Sequence, residues 1–241
     1  MGLLTAAAFL YGISWWWLAA PVLPYLALLV AGSVFIRWNF YMEAHHQGTQ
    51  PDQIALTFDD GPAGQTAAIL DILREQQVPA AFFSIGRRAE AQPQLVRRWH
   101  EEGHLTGNHS YAHGWNFDWQ SSAAMERELR RTNEALTRIT GHGPACFRPP
   151  YGVTNPNLAL AVKRSGMQAV GWSVRSFDTT AKDPEALLQR ILGRLQGGDI
   201  ILLHDSMPVT REILTELIVR AREKGFTFVR VDQMLDIPAY A

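Results

Sequence analysis

Cysteine is almost absent from this chain, which has one such residue among 241. A single thiol rules out an internal disulfide, and Cys146 lies in an apolar stretch, so a buried free thiol is predicted. The formal net charge is −1, and no stripe of basic residues is visible. Because phosphate binding requires clustered Lys and Arg, this argues against nucleic acid as the main partner. The length fits one α/β barrel domain or two small domains.

Charge is also absent from residues 1–36. A helix of this length would span roughly 54 Å, against about 30 Å for the hydrocarbon core of a bilayer. A helical hairpin is therefore predicted, with arms at Leu3–Ala20 and Tyr25–Ile36 and a turn near Pro21–Pro24. A cleaved signal peptide is the alternative, but the run lacks a charged n-region and is too long.

The next segments complete the predicted domain organisation. Residues 1–37 are predicted to form the membrane-anchoring hairpin, residues 38–53 a mostly polar connector, and residues 54–241 the large domain. Arg37 is the only Lys or Arg before Arg74. By the positive-inside rule it weakly favours a cytoplasmic end for the second arm.

Beyond the connector, short apolar runs alternate with amphipathic runs, which is a βα pattern. Strands are predicted at Ile54–Phe58, Ala80–Ile85, Leu105–Asn108, Ala145–Arg148, Ala169–Val174, Ile200–Leu203 and Thr227–Val231. Helices are predicted near Thr66–Gln76, Pro93–Glu102, Ser121–Thr140, Asn157–Ser165, Pro184–Leu195 and Val209–Lys224. Seven such units predict a parallel barrel or a distorted one, whose strand ends open on one face.

The first strand ends in two adjacent carboxylates, Asp59 and Asp60. Neighbouring carboxylates repel each other and cost desolvation, so the pair indicates a metal or a catalytic proton. Strand side chains alternate in direction, so the two residues must have different roles. One is expected to bind a cation while the other faces the substrate.

The segment His109-Ser-Tyr-Ala-His113 places two imidazoles four residues apart. On one helical turn they would face the same way, which is a common metal-ligand spacing. Taken alone, two histidines at this spacing are more often a chance or exposed pair than a metal site. Together with Asp60 it predicts a His₂Asp metal set with an open position for water.

Two further strand ends carry candidate residues. Arg148 begins the rigid segment RPPYG, where it is either a solvated turn residue or a group that holds a carboxylate ionised and oriented. His204 closes an apolar run, where it is either a satisfied strand-end histidine or, beside Asp178, a charged general acid.

Five segments, TFDDGP, HSYAH, RPPYG, WSVRSFD and LLHD, occur in an order and spacing that resemble the NodB-homology polysaccharide deacetylases of carbohydrate esterase family 4. The resemblance covers about Ile54 to Leu235. It implies a distorted (β/α)₇ barrel and metal-dependent removal of N- or O-acetyl groups from sugars. One divalent ion is implied; zinc is the first choice, and cobalt, nickel and iron are alternatives.

The resemblance also implies a role for each matching residue. Asp59 matches the catalytic base, and Asp60, His109 and His113 match the metal ligands. Arg148 matches the arginine that orients the base, and His204, paired with Asp178, matches the general acid. The implied substrate-binding positions are Tyr151, through its backbone amide, with Ile200 and Leu202 around the acetyl group. Trp172 either lines this pocket or fills the core, and Trp115, Phe117 and Trp119 either stack on sugars or pack in the loop or core.

The fourth motif departs from the family pattern Asp-x-x-Asp-Trp. Arg175 replaces the first Asp and Thr179 replaces the Trp, while Asp178 is kept. The Asp178–His204 pair is therefore expected to persist, whereas the pocket wall and the choice of substrate are expected to differ.

These features predict a membrane-anchored bacterial deacetylase whose partners are an N-acetylated glycan and, through residues 1–37, the lipid bilayer. The family's usual substrates place the catalytic domain on the outer, periplasmic face of the inner membrane. One alternative is another amide or ester hydrolase acting on a lipid-linked sugar. Another is a catalytically inactive glycan-binding module, although such a module has no need for both a base and an acid.

Overall fold

The computed structural model describes Trp16 and residues 20–241. The helices are α1 (Val22–Val34), α2 (Thr66–Gln76), α3 (Gly86–Ala91), α4 (Pro93–Glu101), α5 (Ser122–Thr140), α6 (Pro156–Arg164), α7 (Pro184–Leu192), α8 (Pro208–Glu223) and α9 (Val231–Leu235). The strands are β1 (Gln53–Asp59), β2 (Ala80–Ser84), β3 (Leu105–Asn108), β4 (Cys146–Phe147), β5 (Gln168–Ala169), β6 (Val174–Arg175), β7 (Ile200–His204) and β8 (Thr227–Phe228).

The strands form one parallel sheet in the order β5-β4-β3-β2-β1-β7-β6, with β8 beside the start of β1. Strand β1 lies between β2 and β7, and its last residue, Asp59, is in register with His204. All these strands run in one direction, so their carboxyl ends meet on one face. Polar residues that are far apart in sequence are thereby brought together.

The sheet is a curled half-barrel, whereas the sequence predicted a distorted barrel with a continuous strand over Ala169–Val174. That segment splits into β5 and β6 because the intervening backbone bonds elsewhere. His45 pairs with Val170, and Gly171 donates its N–H to the carbonyl of His45. The predicted connector therefore lies between the two ends of the sheet.

The connector is integrated into the domain over much of its length. Ala44 is buried, Gln47 pairs with Asp199, and the N–H of Ala44 binds the side-chain oxygen of Asn39. Just before it, Ile36 is also buried in the core. Removal of this segment would therefore expose apolar surface and leave backbone groups without partners.

Side chains of β1 alternate between two cores. Ile54, Leu56 and Phe58 face the helices, where Phe58 stacks on Phe82 and Phe82 stacks on Trp99. On the opposite side, Ala55 belongs to a second core with Phe83 and Leu202. This period of two also places Thr57 and Asp59 on the second side. Cys146 is a buried free thiol there, as predicted, and burial raises its pKa to about 12.

The predicted N-terminal hairpin is described only in its second half. The first arm, Leu3–Ala20, lies outside the described residues except for Trp16 and Ala20. Helix α1 begins at Val22, inside the predicted turn, and places Pro24 in its first helical turn, where a missing N–H is tolerated. Its 13 residues reach about 20 Å. Within the described part of the chain, no helix has the length and apolarity needed to cross a membrane.

Candidate active site

A cavity of about 240 Å³ opens at the carboxyl ends of the strands. Its lining comprises Asp59, Asp60, His109, His113, Pro149, Tyr151, Gly152, Trp172, Arg175, Ser176, Phe177, Thr179, Leu202 and His204. Eight predicted site residues are among them. Arg148 and Asp178 lie directly behind the cavity, where each bonds to a lining residue. Ile200 is fully buried in the core and is not part of the lining.

The two adjacent carboxylates separate as predicted. Asp59 is the last residue of β1 and is almost fully buried, whereas Asp60 adopts a left-handed conformation with φ 75°. The chain then turns at Gly61, where a Cβ atom would collide with the carboxylate of Asp205. A glycine is thus required at this position for the close approach.

Asp205 packs against this turn, and the sequence analysis did not identify it as a site residue. Its carboxylate accepts a hydrogen bond of 2.5 Å from the hydroxyl of Thr66, which in turn accepts the N–H of Ala63. Burial raises the pKa of Asp205 to about 7. Its position directly after His204 is the one sequence signal that marks it.

Three side chains converge as the predicted metal set. Ligand atoms of Asp60, His109 and His113 all lie within 4.8 Å of one another. The Nε2 atoms of His109 and His113 are 3.7 and 3.5 Å from Oδ1 of Asp60. That oxygen is buried and has no hydrogen-bond partner among the described residues. An unpartnered carboxylate oxygen between two imidazoles fits a divalent cation.

The hydrogen bond of His109 and the pKa of His113 both favour metal binding. Nδ1 of His109 lies 2.8 Å from the carbonyl of Arg148, so it carries the proton and leaves Nε2 free as a ligand. Burial, followed by the charge of His109, lowers the pKa of His113 to about 4. His113 is thus available as a neutral ligand near pH 7, and His109 presents its Nε2 to the same position.

The residues of HSYAH do not form the helical turn that the spacing argument considered. The segment is a loop in which Ser110 and His113 have φ of 62° and 47°, and this path brings the rings to 4.8 Å between centroids. Asn108 accepts the N–H of Ser110. Glu128 accepts the N–H groups of Tyr111 and Ala112 at 3.0 and 2.7 Å. These side chains satisfy backbone N–H groups of the loop that would otherwise lack a partner.

Sequence reasoning missed both supports of this loop. Asn108 could have been found, because it ends a predicted strand directly before His109. Glu128 could not, because it lies in the long helix α5 among several other charged residues.

Arg148 is fully buried behind Asp59, which rules out the solvated-turn interpretation. Its NH1 donates to Oδ1 of Asp59 at 2.9 Å and to the hydroxyl of Thr57 at 2.7 Å. Its remaining nitrogens donate to the carbonyls of Val170 and Gly171 at 3.0 and 2.8 Å. Oδ2 of Asp59 is 3.9 Å from Nε2 of His109 and points toward the metal set. The arginine therefore fixes one carboxylate oxygen and leaves the other available.

His204 and Asp178 form the second buried pair. Nδ1 of His204 lies 2.8 Å from Oδ1 of Asp178, and Oδ2 accepts the backbone N–H of His204 and the hydroxyl of Thr210. Burial lowers the pKa of His204, but the hydrogen bond and charge of Asp178 outweigh it and raise that pKa to about 8. The imidazole is thus charged at neutral pH, and its Nε2 is left for the cavity.

The rim of the cavity is formed by exposed residues. Tyr151 and Phe177 are 48% and 43% exposed, and both have left-handed backbones, with φ of 57° and 60°. In the loop after His113, Phe117 is buried, whereas Trp115 and Trp119 are 83% and 85% exposed. Packing thus accounts for the phenylalanine but not for the two tryptophans.

A held carboxylate and a charged imidazole around a candidate metal site, at the strand ends of an α/β half-barrel, are groups that metal-assisted hydrolysis uses. The family model described as polysaccharide deacetylase matches residues 46–170. The chain belongs to this family, the NodB-homology deacetylases of carbohydrate esterase family 4, which confirms the resemblance.

Individual relatives agree with this assignment. The chain is 33% identical over 183 residues to the peptidoglycan-N-acetylglucosamine deacetylase PgdA of Listeria monocytogenes, covering 76% of this chain but only 38% of that relative. It is 33% identical over 226 residues to the peptidoglycan-N-acetylmuramic acid deacetylase PdaA of Bacillus subtilis, covering 83% and 86%. The solved Bc1960 peptidoglycan N-acetylglucosamine deacetylase matches with a TM-score of 0.78 at 30% identity, covering 82% of this chain and 95% of that chain.

Proposed function

We propose that this protein is a metal-dependent deacetylase that removes N-acetyl groups from a glycan of the bacterial cell envelope. The observation that carries the proposal is the presence, in one cavity, of a carboxylate held by a buried arginine and an imidazole paired with a buried carboxylate. Beside them lies a three-ligand set with an unpartnered oxygen. The relatives that act on peptidoglycan support the choice of substrate class.

Asp59 is the base in this mechanism. The hydrogen bond from Arg148 holds Oδ1, and the free Oδ2 accepts a proton from the water that attacks the acetyl carbonyl. Because Arg148 is buried and all its contacts are to fixed groups, the carboxylate keeps its orientation throughout the reaction.

Asp60, His109 and His113 would hold a divalent ion. Such an ion, when bound, supplies Lewis-acid activation of water and of a carbonyl oxygen. The three side chains leave the cavity side of this position open to the substrate, as catalytic rather than structural sites require.

His204 is the general acid. Its imidazolium donates the Nε2 proton to the sugar nitrogen as the amide C–N bond breaks, which yields acetate and a free amine. Asp178 holds the opposite nitrogen and stabilises the charged ring until that proton leaves. Leu202 and Trp172 supply apolar wall for the acetyl methyl group, and the backbone of Tyr151 lies at the mouth of the cavity.

A catalytically inactive glycan-binding module would have no use for these two pairs. Burial of Arg148 and Asp178 costs desolvation, and sugar binding alone does not require it. Such costs are commonly found at catalytic sites, where perturbed proton affinities serve the reaction.

The test is acetate release by the purified full-length chain. Protein stripped of metal and then reloaded with Zn²⁺ is incubated with chitooligosaccharides and peptidoglycan fragments, and acetate and bound metal are quantified. Zinc-dependent release supports the proposal. A fully loaded protein that releases no acetate from any of these substrates contradicts it.

We also propose that residues 1–37 attach the protein to a bilayer, with the catalytic domain on the periplasmic side of the inner membrane. The chain is uncharged over residues 1–36. In the described part of this segment, α1 exposes Leu23, Tyr25 and Val30 at 60% or more. Two hydrogen bonds from Thr154, to the carbonyls of Ser33 and Gly32, join α1 to the loop that follows Gly152 of the cavity lining.

Attachment and side are tested separately. Membrane fractions should contain the native chain, whereas Leu23→Asp with Val30→Asp should shift it toward the soluble fraction. A C-terminal alkaline phosphatase fusion should be active only if the domain is periplasmic. A native chain found entirely in the soluble fraction contradicts attachment, and an inactive, well-expressed fusion contradicts the orientation.

A further inference from the structure

Arg175 is the one cationic side chain of Lys or Arg type in the lining of the active-site cavity. It lies on β6 opposite Leu202, and the same short segment leads to Asp178, the partner of the general acid. Its position is therefore fixed by the strand that also helps to place His204. The reaction proposed above assigns it no role.

Arg175 differs from the other arginine of the site because it has no ion-pair partner among the described residues. Arg148 uses its nitrogens in four hydrogen bonds. For Arg175, no carboxylate in the described part of the chain lies within ion-pair distance, and its side chain is exposed. Its guanidinium lies near two aromatic rings: the centroids of Phe177 and Trp172 are 5.0 and 5.9 Å from the guanidinium carbon.

These aromatic neighbours limit the directions in which Arg175 can reach. Trp172 is buried, and Phe177 is held in a left-handed conformation beside Asp178. Arginine stacks readily on aromatic faces while its nitrogens still point outward, and its planar fork matches the two oxygens of a carboxylate or phosphate. The guanidinium is thus placed to accept an anion at the cavity mouth.

The unpaired charge of Arg175 favours the same ligand. A neutral sugar that covered Arg175 would desolvate an unpaired cation, which costs free energy. An anionic sugar would instead pair with it.

We propose that Arg175 selects saccharides that carry an anionic oxygen group, carboxylate or phosphate, next to the acetylated sugar. This inference rests on the proposed deacetylase function and specifies its substrate class. Arg175 takes no part in proton transfer in this proposal; it increases affinity for the anionic substrate.

Three matched disaccharides test the inference with the Zn²⁺-loaded full-length chain. N,N′-diacetylchitobiose is neutral, N-acetylglucosaminyl-N-acetylmuramic acid adds a carboxylate, and N,N′-diacetylchitobiose 1-phosphate adds a phosphate. KM and kcat are measured by acetate release, and Kd is measured by calorimetry. The carboxylate and phosphate arms identify which anion is preferred.

The native protein should bind at least one anionic disaccharide about tenfold more tightly than the neutral one, as expected for one charge-assisted contact. Arg175→Ala should abolish this ratio through KM and Kd. Arg175→Lys should restore part of it, because charge remains without the planar fork. Lys182→Ala, which removes an exposed cation outside the cavity, should leave the ratio unchanged.

A native protein without any preference for either anionic disaccharide overturns the inference. So does an Arg175→Ala variant that weakens all three disaccharides equally. If neither these disaccharides nor the longer chitooligosaccharides and peptidoglycan fragments release acetate, the proposed function fails, but the ratio of Kd values still decides whether Arg175 selects anions. The two proposals therefore fail by different measurements.

Discussion

The cavity has a floor, supported by the buried residues Arg148 and Asp178 behind its lining, and a rim of exposed residues, and the two differ in how their side chains are bonded. On the floor, Arg148 and Asp178 are buried, and fixed donors and acceptors surround them. On the rim, Arg175 lacks an ion-pair partner among the described residues, and Tyr151 and Phe177 are 48% and 43% exposed. A rigid floor preserves the geometry that proton transfer requires. Residues on the rim make few hydrogen bonds to the rest of the domain, so they can be substituted with little loss of stability.

This contrast explains where the fourth motif departs from its family pattern. Asp178, which holds the general acid, belongs to the floor and is kept. Arg175 and Thr179 belong to the rim and are replaced. Substitution of a floor residue would leave a buried charge without its partner, whereas substitution of a rim residue alters only the contacts with the substrate.

The largest effect is expected at Asp59. Asp59→Asn removes the base while an amide still accepts the hydrogen bond from Arg148, so kcat should fall by about 10³-fold with metal content unchanged. Metal analysis and acetate release measure both quantities. Asp52→Asn, at an exposed position, is the control. A kcat within tenfold of the native value would exclude Asp59 as the base.

Arg148→Met should have the next largest effect, and this effect should be a loss of folding stability. It leaves the carboxylate of Asp59 buried beside Thr57 without its cation, and breaking a buried pair costs about 3–5 kcal/mol. Chemical denaturation should reveal this loss in the free energy of unfolding. Arg74→Met, in an exposed ion pair, should change it by under about 1 kcal/mol. Equal effects of the two substitutions would refute the contrast between floor and surface.

Asp178→Asn should shift the pH dependence of kcat/KM. His204 must be protonated to act, so kcat/KM of the native protein should fall as pH rises through about 8. Without the carboxylate, His204 loses the hydrogen bond and the charge that raise its pKa most, while burial, which lowers the pKa, and the weaker charges of Asp59 and Asp60 remain, so the decline should move to lower pH. Thr210→Val, which removes one hydrogen bond to Asp178, should produce a smaller shift. An unchanged decline in Asp178→Asn would exclude His204 as the acid.

The sequence predicted the floor better than the rim for a physical reason. Asp59, Asp60 and His204 lie at the ends of apolar strands, and parallel strands bring such ends together. The loop at His109–His113 was misjudged because spacing alone does not reveal the backbone partner, here Glu128. The break between β5 and β6 depends on His45, more than 120 positions away from Val170 in sequence, which local patterns do not encode.

The smallest effect is expected in the exposed segment that follows the metal ligands, outside the cavity lining. Trp119 is 85% exposed and follows the loop of the metal ligands, so its ring is available to stack on a sugar unit beyond the cavity. Trp119→Ala should raise KM for a long oligosaccharide by roughly fivefold, the effect of losing about 1 kcal/mol of aromatic contact. Neither kcat nor the free energy of unfolding should change. KM for a disaccharide, which is too short to reach this ring, serves as the internal control. An increase in KM that is the same for both lengths would place Trp119 inside the first binding position instead of beyond it.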